Sequence, residues 1–150
     1  MTATSFEGAL RKCEEPVRAF VLIGTRAAEP VAFGLVALVT EFDPPAPHTV
    51  PSGWYLMGLF VAPPFRRGGV ARALTRARLA WIRERAPEAW YFSDASNAAS
   101  IALHREAGFA EVTREFVAPG VTFDSGVGVL FRCALPERRP NAYLEGVVVP

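Results

Sequence analysis

The chain has 150 residues, 51% of them hydrophobic, and a formal net charge of +1 at neutral pH. That size and composition support one globular domain with a buried core, and the near-neutral balance gives no electrostatic case for nucleic acid, whose binding needs a clustered basic surface, though it leaves acidic partners open locally. Cys13 and Cys133 stand far apart without ligand spacing, so neither a disulfide framework nor a metal site is expected; with no long apolar run and no signal-peptide core at MTATSFEGALRKCEEP, the expectation is a cytoplasmic protein that does not enter a membrane.

In chain order, Ser5 to Cys13 suits a short helix with Phe6, Ala9, Leu10 and Cys13 on one face, ended by Pro16. Val17 to Gly24 and Pro30 to Thr40 read as a strand hairpin around the polar turn TRAAE. The loop EFDPPAPHTVPSG, Glu41 to Gly53, holds four prolines and is long enough to lie over a site or an interface. An aromatic-rich strand, Trp54 to Val61, follows and is closed by Pro63 and Pro64, which cannot continue a ladder. The next helix runs from Gly68 to about Arg85, with Val70, Ala73, Leu74, Ala77, Trp81 and Ile82 at buried-stripe spacing. Ala89 to Ser93 is then a strand, and Ser96 or Asn97 caps a short helix with Ile101, Leu103 and Ala107 as its apolar positions. Phe109 to Val117 and Val127 to Leu135 close the body as an antiparallel pair. Strands alternating with helices in the centre, and hairpins at both ends, make an α/β (α+β) fold with a mixed, mostly antiparallel sheet flanked by helices. Residues 1–135 form the domain in this reading. Residues 136–150 form a tail whose Tyr143, Leu144 and Val147 to Val149 need a surface, on the body or on a second copy as a homodimer.

Two segments carry chemistry. In VAPPFRRGGVARAL, Val61 to Leu74, a helix opens on Gly68 and Gly69 beside Arg66, Arg67 and Arg72. Its first-turn amides have no intrahelical acceptor and sit at the positive end of the helix dipole, so the backbone can wrap a phosphate. In NAASIALHREAGF, Asn97 to Phe109, a capped helix stops at a glycine before an aromatic.

Together these segments resemble the GNAT superfamily of acyl-coenzyme A-dependent N-acyltransferases. Its coenzyme motif, Arg/Gln-x-x-Gly-x-Gly/Ala, is read at Arg66, Gly69 and Ala71, after the Val-x-Pro of Val61 and Pro63. Its second motif is read at Asn97, Ser100, Leu103, His104, Gly108 and Phe109, with His104 where the family most often has tyrosine. The resemblance implies acetyl-coenzyme A as co-substrate and the amine of a small molecule or peptide as acceptor. It places the pyrophosphate on the amides of Arg67, Gly68, Gly69, Val70, Ala71 and Arg72, with Arg66 adding charge. The pantetheine arm falls along Leu59, Phe60 and Val61, a Leu59 amide polarises the thioester carbonyl, and Asn97 and Ser100 hold the second helix and the coenzyme arm. His104 takes the tyrosine's task of protonating the departing thiolate.

Two departures from the family stand out. The part before the first hairpin is short, and the strand Trp54 to Val61 has no carboxylate where many members keep their general base. Glu41, Asp43, His48, Asp94 and Asp124 are the substitutes on offer. A non-catalytic acyl-coenzyme A binding module on the same fold is the rival reading.

Overall fold

The computed structural model describes residues 20–26, 29–41 and 46–137. The helix expected over Ser5 to Cys13, the shortened front, Asp43 and the apolar tail beyond residue 137 lie outside those residues.

Six strands form one sheet in the order β1-β2-β3-β4-β6-β5. They are β1 (Phe20–Arg26), β2 (Glu29–Val39), β3 (Gly53–Val61), β4 (Glu88–Asp94), β5 (Ala110–Thr113) and β6 (Gly128–Ala134). Neighbours are antiparallel except β3 and β4, which run parallel because helix α1 (Val70–Arg83) carries the chain across between them. Helix α2 (Ala98–Glu106) links β4 to β5. The expected mixed, mostly antiparallel α+β sheet is therefore the fold observed.

Alternation along β3 sends Leu56 toward α1 and Tyr55 and Met57 to the other face. On the α1 side Val36, Leu56, Leu79, Ile82, Tyr91, Val129 and Phe131 form the main core. Val31, Ala32 and Leu74 form a smaller cluster at the start of α1, with Leu59, Val61, Phe65 and Val70 packed against it. On the opposite face Tyr55, Trp90 and Leu130 pack with Val50 and Ala118. The proline loop reaches this cluster: Val50 donates to Val117 O at 3.0 Å and Val117 donates to His48 O at 2.7 Å.

Two local expectations are corrected. The strand expected over Phe109 to Val117 ends at Thr113, because its register slips after Glu111 and the Thr113 hydroxyl accepts Glu115 N–H at 3.0 Å, turning the chain out of the ladder. Val117 bridges Thr49 instead. On α1, Ala73 is exposed, and the buried stripe is Leu74, Thr75, Arg78, Leu79 and Ile82. Two of those five are polar, so a search for apolar periodicity passed over them.

Candidate functional site

β3 and β4 share a single registered pair, Tyr55↔Trp90, near their beginnings. From Met57 onward the edge of β3 that faces β4 has no ladder partner among the described residues. Within β3 the pairing to β2 slips from Leu35↔Met57 to Gly34↔Leu59, so Gly58 is an extra residue, a β-bulge. Its φ of 46° lies in the left-handed region, and a Cβ there would fall 2.8 Å from the Leu35 side chain. The left-handed backbone favours glycine here, and a Cβ would in addition push the end of the Leu35 side chain aside. The bulge turns Leu59 and Val61 toward α1 and leaves Phe60 to stack on Phe33, centroids 5.7 Å apart. Gly58 was not singled out in the sequence, although a glycine in the middle of an apolar strand is the usual sign of a bulge.

Beyond β3, Ala62 donates to Val31 O at 2.8 Å, and Pro63–Phe65 make one 3-10 turn. Arg67 follows with φ 61° and Gly69 with φ 83°, so two left-handed residues aim the chain into α1. No protein atom lies within 4 Å of where a Gly69 Cβ would sit. Packing therefore does not call for glycine there; the positive φ of the turn does. The first bond of the α1 ladder runs from Ala73 N–H to Gly69 O at 2.9 Å. The amides of Val70, Ala71 and Arg72 thus precede the ladder and stand free at the helix start.

Val61, Phe65, Arg66, Arg67, Gly69, Val70, Ala71, Arg72 and Leu103 line a pocket of about 360 Å³ at this point. Seven residues expected to hold coenzyme meet there. Two of their cations are committed elsewhere: Arg66 Nε donates to Val61 O at 2.9 Å, and Arg72 grips the Glu106 carboxylate at 2.8 and 3.1 Å. That pairing holds the Glu106 carboxyl below its usual range. Arg67 makes no ion pair among the described residues. An open helix start, a glycine with room beside it and cationic walls fit a pyrophosphate.

Leu59, Phe60, Gly68, Asn97, Ser100 and His104 do not line that pocket. Leu59 and Phe60 lie on the free-edged half of β3, and Gly68 is the residue before the cap of α1. Asn97 caps α2, its Oδ1 accepting Ser100 N–H at 3.2 Å. The Ser100 hydroxyl shares a 2.6 Å hydrogen bond with the Tyr91 hydroxyl.

His104 is 2% exposed. Its Nδ1 lies 2.8 Å from Ser100 O, and a carbonyl can only accept, so Nδ1 carries a proton. Burial pushes the imidazole pKa down to about 4, with the nearby Arg78 charge acting the same way. At neutral pH His104 is a neutral ring whose only N–H is already donated. This geometry speaks against the leaving-thiolate role expected for it.

The expected substitutes for a base are hydrogen-bonded elsewhere or exposed. Asp94 accepts from Ser96 N–H at 2.8 Å, Ser96 hydroxyl at 2.7 Å and Ser125 N–H at 2.8 Å, which holds it well below the carboxylate range. Glu41, His48 and Asp124 are exposed. Tyr55 donates to Pro51 O at 2.7 Å, and its burial raises the phenol pKa, so it is no base either. Among the described residues no cluster of His, Cys, Asp and Glu could hold a metal. No helix there is long and apolar enough to cross a membrane.

No curated protein matches the chain. Among solved structures it is similar to ribosomal-protein-S18-alanine N-acetyltransferase from Escherichia coli, at 20% identity over 95% of this chain and 83% of that one, with a TM-score of 0.62. Ard1 from Thermoplasma volcanium is similar at 20% identity over 91% and 82%, with a TM-score of 0.64. A Bacillus anthracis str. Ames protein in complex with acetyl coenzyme A is similar at 15% identity over 85% and 68%, with a TM-score of 0.63. At such identities these structures show the fold alone. The sequence model of the acetyltransferase (GNAT) family, however, matches residues 3–109, well over half the chain, and the chain belongs to that family of acyltransferases.

Proposed function

We propose that the protein is an N-acetyltransferase that moves an acetyl group from acetyl-coenzyme A to a primary amine of a small molecule or peptide by direct attack. The observation that carries this reading is the free edge of β3 beyond Tyr55, running into the glycine-opened start of α1. An extended pantetheine arm adds to such an edge as a strand would, and its pyrophosphate then reaches the free amides of Val70, Ala71 and Arg72. The thioester comes to rest beside the bulge at Gly58, where a Leu59 amide polarises its carbonyl. A fixed main-chain donor of this kind is worth roughly 10²–10³ in kcat.

In the reaction the neutral amine nitrogen bonds to the carbonyl carbon while the carbon–sulfur bond breaks and its electron pair leaves on sulfur. The proton shed by nitrogen and the one gained by sulfur exchange with solvent. No side chain of β3 takes either proton in this reading, and holding the two reactants together carries a large part of the rate. Residues 1–135 act as the catalytic domain, with the tail covering the acceptor side or a second copy.

A second reading, coenzyme binding without transfer, is favoured by two observations: β3 has no carboxylate, and Asp94 is held by Ser96 and Ser125. Thiol release from acetyl-coenzyme A across a panel of amines and N-terminal peptides, with mass analysis of the acceptors, separates the two. Acetylated acceptor establishes the enzyme. Saturable coenzyme binding with no thiol release above the amine-free rate establishes the binding module.

A further inference from the structure

Arg78 is the largest fully buried side chain of the described residues, 1% exposed, and no carboxylate pairs with it there. Its partners are all neutral oxygens. One guanidinium nitrogen donates to Leu35 O at 3.2 Å and Met57 O at 3.4 Å; the other donates to Thr75 Oγ1 at 3.1 Å, and Nε reaches Leu74 O at 3.4 Å. Leu35 and Met57 are the register pair on the near side of the bulge. Gly34, the pair on the far side, leaves the room: a Cβ there would fall 3.0 Å from Arg78 Nε.

A buried ion without a counter-ion costs several kcal/mol to desolvate, and an apolar helix residue at the same place would avoid that cost. The charge is nevertheless kept. Burial lowers the guanidinium pKa to about 10, which still leaves a cation at neutral pH. It sits behind the one stretch of β3 that is both bulged and free-edged, where the proposed reaction gathers negative charge.

Resting on the acetyltransferase reading, we propose that Arg78 is a positioning residue of the acyl-transfer site. Its guanidinium bolts the bulge from behind, fixing the direction of the amides around Gly58 and Leu59. Its unpaired charge draws electron density onto the thioester oxygen and the departing sulfur. In a low-dielectric setting a cation several ångströms away acts on such charge far more strongly than in water.

The test uses the full chain and acetyl-coenzyme A labelled with ¹³C at the carbonyl, comparing the unaltered protein with R78M, R78Q and R78K. The bound carbonyl resonance of the unaltered protein is expected downfield of free acetyl-coenzyme A. R78M and R78Q lose that displacement and about 10- to 100-fold of kcat, with KM and coenzyme affinity within about threefold, while R78K keeps most of both. Because Gln keeps donors without charge, R78Q is read where R78M does not fold. A merely structural arginine would lower the melting temperature and leave the resonance of the folded fraction unmoved. Parental resonance and kcat in folded R78M or R78Q overturn the proposal. If the unaltered protein shows the displaced resonance but acetylates no amine, the acetyltransferase reading fails, and the resonance of the variants alone decides for or against Arg78.

Discussion

The ring of His104 lies flat on the ring of Tyr91, with centroids 3.6 Å apart and planes 4° apart. Phe109 meets both rings edge-on, at 5.5 and 5.9 Å. This stack ties α2 to β4, and Ser100 joins its two polar ends through the His104 and Tyr91 hydrogen bonds. His104 is therefore best understood as a pillar of the second motif. His104→Phe is expected to keep kcat within about threefold across pH 6–9, whereas His104→Ala opens a cavity and costs about 2–4 kcal/mol of stability. A collapse of kcat in folded His104→Phe, restored in His104→Tyr, would return the proton-donor role to this position.

The same burial makes stability depend on pH. The folded imidazole pKa of about 4 lies below the unfolded reference near 6.5, so between these values the unfolded chain binds the extra proton. Stability from this group is complete above pH 6.5, falls as pH drops toward 4, and then levels off. The full loss is on the order of 3 kcal/mol. Urea titrations at pH 7, 5.5 and 4.5 should show the decline in the parent and a shallower one in His104→Phe; equal slopes in both would remove the assignment.

Gly69 combines a φ of 83° with open space beside it. Gly69→Glu is expected to weaken coenzyme binding by at least about 100-fold in calorimetric titration, by placing an anion where phosphate belongs. Backbone strain is common to any side chain at positive φ. Gly120→Glu supplies that control, since Gly120 has φ 75° and equally open surroundings but lies in the loop before β6. Matching coenzyme affinities for the two variants would detach the pocket from the phosphate.

Glu106 competes with phosphate for Arg72 beside the pocket. Glu106→Gln frees that guanidinium and removes a negative charge, so coenzyme affinity is expected to rise about two- to fivefold at low ionic strength. Added salt should shrink the gain. Weaker binding in Glu106→Gln would mean that the ion pair shapes the pocket rather than neutralising it.

Asp94 holds the turn after β4 and the loop before β6 through Ser96 and Ser125. These hydrogen bonds depress its pKa, so the stability they supply is present above the unfolded value near 3.9 and is lost as pH falls through the acid range. The melting temperature of the parent should drop more between pH 4 and 2 than that of Asp94→Asn, which should already be lower at pH 7.

Much of the fold, and the backbone turns of the candidate site, were legible because their signals are local. Asn97 and Gly69 announce helix starts by their own chemistry, and the hydrophobic runs of β2, β3 and β4 are dense enough to locate within a residue or two. What escaped depends on partners distant in sequence. Arg78 reads as one more solvated arginine until Gly34 and the carbonyls of Leu35 and Met57 are set around it. The end of β5 is decided by a register slip against β6 and by the contact of Val117 with the proline loop. The protonation of His104 is set by burial, which its motif position does not reveal.

Tyr55↔Trp90 is the one registered backbone pair between β3 and β4, and behind it Trp54 of β3 meets Trp81 of α1 at 5.0 Å while Arg78 of α1 donates to Met57 O. A change in α1 that touches no ligand can therefore reach the bulged strand through these two side chains, much as a spacer sets the angle of a hinge.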